Sequence, residues 1–404
     1  MTYKNKHFLI ENVSAEKLAR KYGTPLYVYS YNKLRNNIKN FQKYFKAFSP
    51  MICFSVKSNS NLKLLNIIGR SGLGADVVSK GELLKALKAN IKPKNIVFSG
   101  VGKTIEELKF AVSKKIFLIN AESENEIIEI EKIAKKNKKK INIGLRFNPD
   151  TDAKTLKEIS TGKKENKFGL TKKEFLKLIK KYKGSNFINI ICLSVHIGSQ
   201  ITSHYPYKKM LNVINKIIDE ADYKFRYIDL GGGMGIQYKK NGNKLNYQKY
   251  SYLIQSFLKK NHAKIIFEPG RSIIGDAGYL LTKIIYVKKT NKRYFIILDS
   301  AMNDMMRPAL YKAEHMILPS KLSKNYVNKI HEFVGPICET TDKFLTTPKY
   351  QKLNQKDVLI ICDVGAYGMV LSSNYNLRPK PSEILVNKNL SSILTKRQKL
   401  ISIV

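Results

Sequence analysis

Lys57 stands just past the apolar run Ile52–Val56 and is followed by Ser-Asn-Ser-Asn. An amine at the C-terminal end of a predicted strand, where a helix is about to begin, can form a Schiff base if it is neutral and aimed. In a chain with 73 lysines and arginines, a lone lysine there is more often a solvated loop charge. The chemical reading therefore depends on what else converges on it. Asp76 and Ser79 end a second apolar run, and Arg146 lies in a fifth. His196-Ile-Gly-Ser199-Gln ends a sixth, Asp229-Leu-Gly231-Gly232-Gly233-Met-Gly a seventh, and Glu268-Pro269-Gly270-Arg271 an eighth. Consecutive glycines let a backbone turn tightly and bring bare N–H groups against an anion. Singly, each feature has a plainer reading: a flexible turn, or a satisfied histidine at a strand end.

The elements that must position these residues follow one rhythm. Strands are predicted at Ile52–Val56, Ala75–Val78, Asn95–Ser99, Ile116–Asn120, Ile141–Phe147, Ile190–His196, Tyr227–Leu230 and Lys264–Glu268. Helical patterns lie between them, for example Leu62–Gly69, Ser123–Asn137, Tyr207–Ala221 and Tyr247–Lys260. Continuous apolar strands alternating with helices predict an α/β fold, a (β/α)8 TIM barrel with buried parallel strands. After Gly278 the pattern changes to strands at Tyr279–Val287, Arg293–Leu298, His331–Val334 and Asp357–Cys362, a mostly β C-terminal domain. The expected division is an N-terminal segment 1–29 joining the β domain through Leu26–Tyr29, a barrel over 30–277, and the β domain over 278–404.

Barrels present reactive groups at the C-terminal ends of their strands and commonly bind phosphate with the loops after strands seven and eight. Here those loops are Gly231–Gly235 and Glu268–Arg271. A phosphate site, an electrophile-accepting lysine and a carboxylate in one mouth point to pyridoxal 5'-phosphate, whose ring accepts the electron pair left on a substrate carbon. Glu268 is the candidate carboxylate for the ring nitrogen, and His196 the candidate to stack on the ring.

The formal net charge of +42 invites a nucleic-acid reading. The lysines are spread along the chain, however, and the densest cluster, Lys135–Lys140, falls at the expected C-terminal end of a helix, where cations suit the dipole. No zinc-finger spacing or aromatic RNA-binding strand accompanies the charge, so specific nucleic-acid binding is not expected. Cys53, Cys192, Cys338 and Cys362 are far apart and fit neither a disulfide framework nor a metal site. No apolar run reaches the length of a membrane span, and the N-terminus has no signal-like apolar core. A cytoplasmic protein without metal or membrane attachment is expected.

Taken in order, the motifs resemble those of the fold-type III pyridoxal-phosphate-dependent decarboxylases, and within them the diaminopimelate decarboxylase family. They are FSVKSN at 54–59, GLGADVVSKGEL at 72–83, STGKKENKFGL at 160–170, HIGSQ at 196–200, DLGGGMGI at 229–236 and EPGR at 268–271. They continue with DSAMNDMMRPALY at 299–311, GPICETTD at 335–342 and DVGAYGMVLSSNYNLRP at 363–379. The resemblance covers nearly the whole chain. It implies that Lys57 carries the cofactor, that Gly231, Gly232, Gly233 and the turn Glu268, Pro269, Gly270, Arg271 hold it, and that Ser199 assists at the phosphate with Arg146 and Asp76 nearby. It further implies substrate binding by Arg271, Arg307, Tyr311, Glu339 and Tyr367, with Tyr367 also at the cofactor, and proton donation by Cys338. In the family the site forms in a homodimer, and the Cys-Glu pair comes from the other subunit.

The implied reaction is decarboxylation of meso-diaminopimelate to L-lysine. That substrate carries a carboxylate and an amine at its far end, so its site needs a distal arginine and an acid; Arg271 or Arg307 with Glu339 supplies them. A related decarboxylase for ornithine, arginine or a carboxylated polyamine is the alternative. Racemases of this fold place an arginine at the ring nitrogen, which Glu268 argues against. A plainer reading of Cys338 is a buried small hydrophobe.

Overall fold

The computed structural model describes residues 2–153, 161–163, 165–239 and 241–404. Ser160 and Lys164 of the 160–170 motif lie outside the described residues. The chain forms two compact units. One comprises 38–236 and 243–272, the other 1–37, 237–242 and 273–404.

The first unit is a closed parallel barrel. Its strands are β1 Met51–Ser55, β2 Gly74–Val77, β3 Ile96–Phe98, β4 Leu118–Ala121, β5 Ile141–Arg146, β6 Ile188–Ser194, β7 Tyr227–Asp229 and β8 Lys264–Phe267. Each pairs with the next, and β8 pairs with β1. The predicted strands are found to within one or two residues; most end one residue earlier because their last predicted residue has already turned into a loop. Among the described residues, the helices that follow barrel strands are α1 Leu62–Arg70, α2 Lys80–Lys88, α3 Ile105–Ser113, α4 Glu124–Lys136, α5 Lys172–Tyr182, α6 Tyr205–Ala221 and α7 Tyr247–Lys260. Six of them start on a capping side chain: Asn61, Ser79, Thr104, Ser123, Thr171 and Asn246 each accept from an N–H of the first turn. Each such cap stabilises by about 1 kcal/mol. It also sets where each strand-to-helix loop stops, and hence how far the strand end can move. The Lys135–Lys140 cluster is exposed at the end of α4 and just beyond it, as expected.

The interior of the barrel changes character along its axis. Cys53, Val97, Leu118, Cys192 and Ile266 form one buried apolar cluster. Two residues further along the same strands stand Ser55, Ser99, Asn120, Ser194 and Glu268, all buried and all polar. Because strand side chains alternate with period two, each polar residue faces the same way as the apolar one before it. Asp76, Arg146 and Asp229 occupy the corresponding strand ends and are also buried. Burying so many polar groups costs free energy unless they bond one another, so this upper layer must be a network.

In the second unit the long strand Gly278–Lys289 pairs antiparallel with Leu26–Ser30, Arg293–Leu298 and Val358–Cys362. Ser382–Asn387 adds parallel to Leu26–Ser30. Phe8, Leu18, Leu26, Val28, Leu281, Ile360 and Ile384 fill its core. The short strands Thr2–Lys4 and His7–Ile10 escaped the sequence reading because runs of three or four residues show no periodicity. Among the described residues no helix is long and apolar enough to cross a membrane.

Candidate active site

Lys57 sits in a single 3-10 turn, Val56–Ser58, that begins directly after β1. Its Nζ lies 2.7 Å from Asp76 Oδ2, at the end of β2, which also accepts from Ser55 Oγ at 2.8 Å. Asp76 is fully buried, whereas the Lys57 side chain remains 36 % exposed. The lysine is thus held at the barrel mouth by a buried counter-charge and stays accessible. The second carboxylate oxygen of Asp76 is buried with no hydrogen-bond partner among the described residues.

Across the barrel, Ser99 Oγ donates to Glu268 Oε1 at 3.0 Å and Asn120 Nδ2 reaches Ser99 Oγ at 3.2 Å. Asn120 Nδ2 also donates to Asp229 Oδ2 at 2.9 Å, and the Gly231 N–H donates to Asp229 Oδ1 at 2.9 Å. Burial pushes Glu268 well up, and the nearby Asp229 and Asp76 push it further. Burial also raises Asp229, against the bonds it accepts from Gly231 and Asn120. Two buried carboxyls side by side disfavour holding two negative charges together, which makes this end of the barrel a place that attracts a proton or a proton-bearing donor. Burial, with Arg146 and Lys57 close by, drives the His196 imidazole well below its usual value, so the ring is neutral. The Gly232 N–H donates to His196 Nδ1 at 3.2 Å and so fixes which nitrogen carries hydrogen.

The glycine run is required by contact as well as by conformation. Gly231 and Gly233 adopt φ of +62° and +85°. A Cβ on Gly232 would lie 2.1 Å from the Glu268 carbonyl oxygen, and one on Gly233 would lie 2.2 Å from that of Gly198. The loops after β6, β7 and β8 thus touch backbone to backbone. The Glu268 N–H donates to Gly231 O at 2.8 Å, and the Ser55 N–H to Pro269 O at 3.1 Å. A Cβ on Gly270 would meet Ser58 at 2.9 Å. Arg271 is buried and donates to Ser199 Oγ at 3.1 Å. Arg146 is engaged elsewhere: it pairs with Glu122 Oε1 at 2.8 Å and lies over the Phe168 ring.

In the second unit, Arg307 opens the short helix Arg307–Tyr311 and is buried, with Tyr311 at the other end. Glu339 is exposed and accepts from Thr341 Oγ1 at 3.0 Å and from the Tyr375 hydroxyl. These bonds hold its carboxyl below the usual value. Cys338 is exposed, which rules out the buried-hydrophobe reading. Tyr367 has φ +56°, a left-handed conformation that a tyrosine adopts only when its surroundings impose it.

Ser55, Ser99, Asn120 and Ser194 were missed by sequence reasoning. The available signal was a polar residue breaking an apolar run, as in Leu-Ile-Asn-Ala at 118–121.

A lysine able to reach an aldehyde, a buried carboxyl, a neutral imidazole and a backbone cradle that no Cβ can enter fit one cofactor, pyridoxal phosphate; the class is that of barrel enzymes built around it. Residues 31–275 match the model for "Pyridoxal-dependent decarboxylase, pyridoxal binding domain". The chain is 39% identical over 402 residues to the diaminopimelate decarboxylase of Aquifex aeolicus, covering 98% of this chain and 95% of the relative. It superposes on the crystal structure of diaminopimelate decarboxylase from Helicobacter pylori complexed with L-lysine with a TM-score of 0.91 at 39% identity, covering 96% of this chain and 98% of that one. The crystal structure of the m. jannaschii diaminopimelate decarboxylase in co-complex with L-lysine gives a TM-score of 0.94 at 33% identity, covering 100% of this chain and 96% of that one. The chain belongs to the diaminopimelate decarboxylase family, and it is a carboxy-lyase.

Proposed function

We propose that the protein decarboxylates meso-diaminopimelate to L-lysine and CO2, the last step of lysine biosynthesis, as a cytoplasmic homodimer with shared active sites. The observation that carries the substrate assignment is the buried guanidinium of Arg307, a planar donor suited to the carboxylate at the non-reacting end. Glu339, kept ionised by Tyr375 and Thr341, supplies the charge for the distal ammonium. Two relatives' crystal structures hold L-lysine, the product of this reaction.

Lys57, Gly231 to Gly233, Ser199 and the turn from Glu268 to Arg271 would hold the cofactor. When bound, pyridoxal phosphate supplies the sink for the electron pair left as CO2 departs. Glu268, bonded to Ser99 and raised by its neighbours, keeps a proton at the ring nitrogen. His196, being neutral, offers a flat face without adding charge. Asp76 balances the Lys57 ammonium whenever that amine is protonated. Cys338 gives one proton from Sγ to the carbon that has lost CO2, and its exposure lets solvent reprotonate the thiolate. Tyr311 and Tyr367 complete the substrate contacts that the resemblance implies.

The test is CO2 and L-lysine formation from meso-diaminopimelate by purified protein with pyridoxal phosphate, beside Lys57→Ala. Lysine made by the wild type alone is expected. Cofactor binding without lysine formation would overturn the substrate assignment and turn attention to ornithine, arginine and carboxylated polyamines.

A further inference from the structure

Arg307 and its surroundings carry an inference that rests on the functional reading above. A buried guanidinium must be held by several partners. Two of them fix its direction. Its Nη1 lies 2.6 Å from His315 Nε2, and its Cζ lies 4.8 Å from the centre of the Tyr238 ring. Tyr238 in turn meets the His315 ring edge to face, with centroids 5.0 Å apart. Both partners are uncharged, so what they set is orientation.

The histidine's protons follow from what surrounds it. A guanidinium has donors only, so Nε2 must accept. Nδ1 then carries the hydrogen and donates it to the Cys362 carbonyl at 2.8 Å. Cys362 ends the strand Val358–Cys362, paired to the long strand Gly278–Lys289, and its N–H donates to Met316 O at 2.9 Å. An unbroken series of bonds thus runs from the sheet backbone through one imidazole tautomer to the guanidinium. His315 is only 2 % exposed and Arg307 only 5 %. The residues after Cys362 lead into the turn that holds Tyr367 in its left-handed conformation.

We propose that His315 is a positioning residue for substrate selection: anchored on the Cys362 carbonyl, it aims the Arg307 guanidinium at the carboxylate on the non-reacting end of the substrate. Arginine's fork recognises a carboxylate through two parallel bonds, so recognition depends on angle as well as charge. His315→Leu keeps the volume and removes both bonds. His315→Gln keeps an acceptor for Arg307 and a donor for Cys362.

The product makes the test specific. L-lysine retains the distal carboxylate and cadaverine lacks it, so the pair of inhibitors isolates the contact to Arg307. In His315→Leu the KM for meso-diaminopimelate and the inhibition constant of L-lysine should each rise about tenfold or more. Inhibition by cadaverine should stay within about twofold and kcat should change far less than KM. His315→Gln should recover most of the loss. A folded His315→Leu protein with wild-type KM and wild-type lysine inhibition overturns the proposal. So does equal weakening of both inhibitors without rescue by glutamine, the sign of a structural role alone. A wild type that makes no lysine from meso-diaminopimelate refutes the functional reading, and this proposal with it, before any variant is compared.

Discussion

Replacing Gly232 by alanine should disable cofactor binding through the backbone alone. The added Cβ would stand 2.1 Å from the Glu268 carbonyl oxygen and 3.0 Å from its carbon. Real contacts of this kind stay beyond 3.0 Å, so the loop and the end of β8 must part by roughly 1 Å. Two bonds depend on where Glu268 sits: its N–H donates to Gly231 O at 2.8 Å across that seam, and its carbonyl accepts from Ser55 Oγ of β1 at 2.9 Å. Losing both, at about 1 kcal/mol each, together with about 2 kcal/mol of overpacking, gives a destabilisation of about 4 kcal/mol. The shift also moves Glu268, so pyridoxal phosphate affinity should fall by at least about a hundredfold, the equivalent of about 3 kcal/mol. Gly102→Ala is the matched control, because a Cβ there meets nothing within 4 Å. It should stay within about 0.5 kcal/mol of wild type. The assays are urea unfolding of the apo-protein and titration of the cofactor by absorbance. Equal midpoints and equal affinities for the two alanine variants would refute the steric argument.

Two further predictions concern single groups. Burial, helped by Asp76, pushes Glu82 up to about 7 from an ordinary 4.5, against the bond it accepts from Val78 N–H. A raised carboxyl binds its proton more tightly when folded, so its stabilising contribution is whole below pH about 4.5 and is lost as pH rises to about 7, an amount of about 3 kcal/mol. Glu82→Gln should remove that decline from denaturation midpoints measured across the window; parallel pH profiles for the two proteins would sink the assignment. Cys338→Ala should slow lysine formation far more than it weakens cofactor binding, since the role proposed for the exposed thiol is to protonate the substrate carbon. Wild-type turnover in that variant would remove the proton-donor role.

The barrel was legible because eight apolar runs separated by helical patterns leave few alternative topologies, and because barrel chemistry gathers at strand ends. Lys57, His196, the glycine run and Glu268 were therefore singled out by position before any contact was known. Arg146 was placed at the mouth, and the structure adds that Glu122 holds it. The network of Ser55, Ser99, Asn120 and Asp229 was less visible. A strand buried on both faces reads as one apolar run, and the alternation that would mark its inward residues is lost.

The order of residues determined the elements, their caps and the identity of the reactive groups, since these depend on neighbours within a few positions. Tertiary structure alone decided which groups meet. Ser99 and Glu268 are 169 positions apart and share a hydrogen bond only because the barrel closes. Asn120 bonds Asp229 across 109 positions. His315 looks like any buried histidine until Arg307 on one side and the Cys362 carbonyl on the other dictate its tautomer. A hydrogen bond is short-ranged and directional, so its existence is a property of closure and register, which no local stretch of sequence encodes.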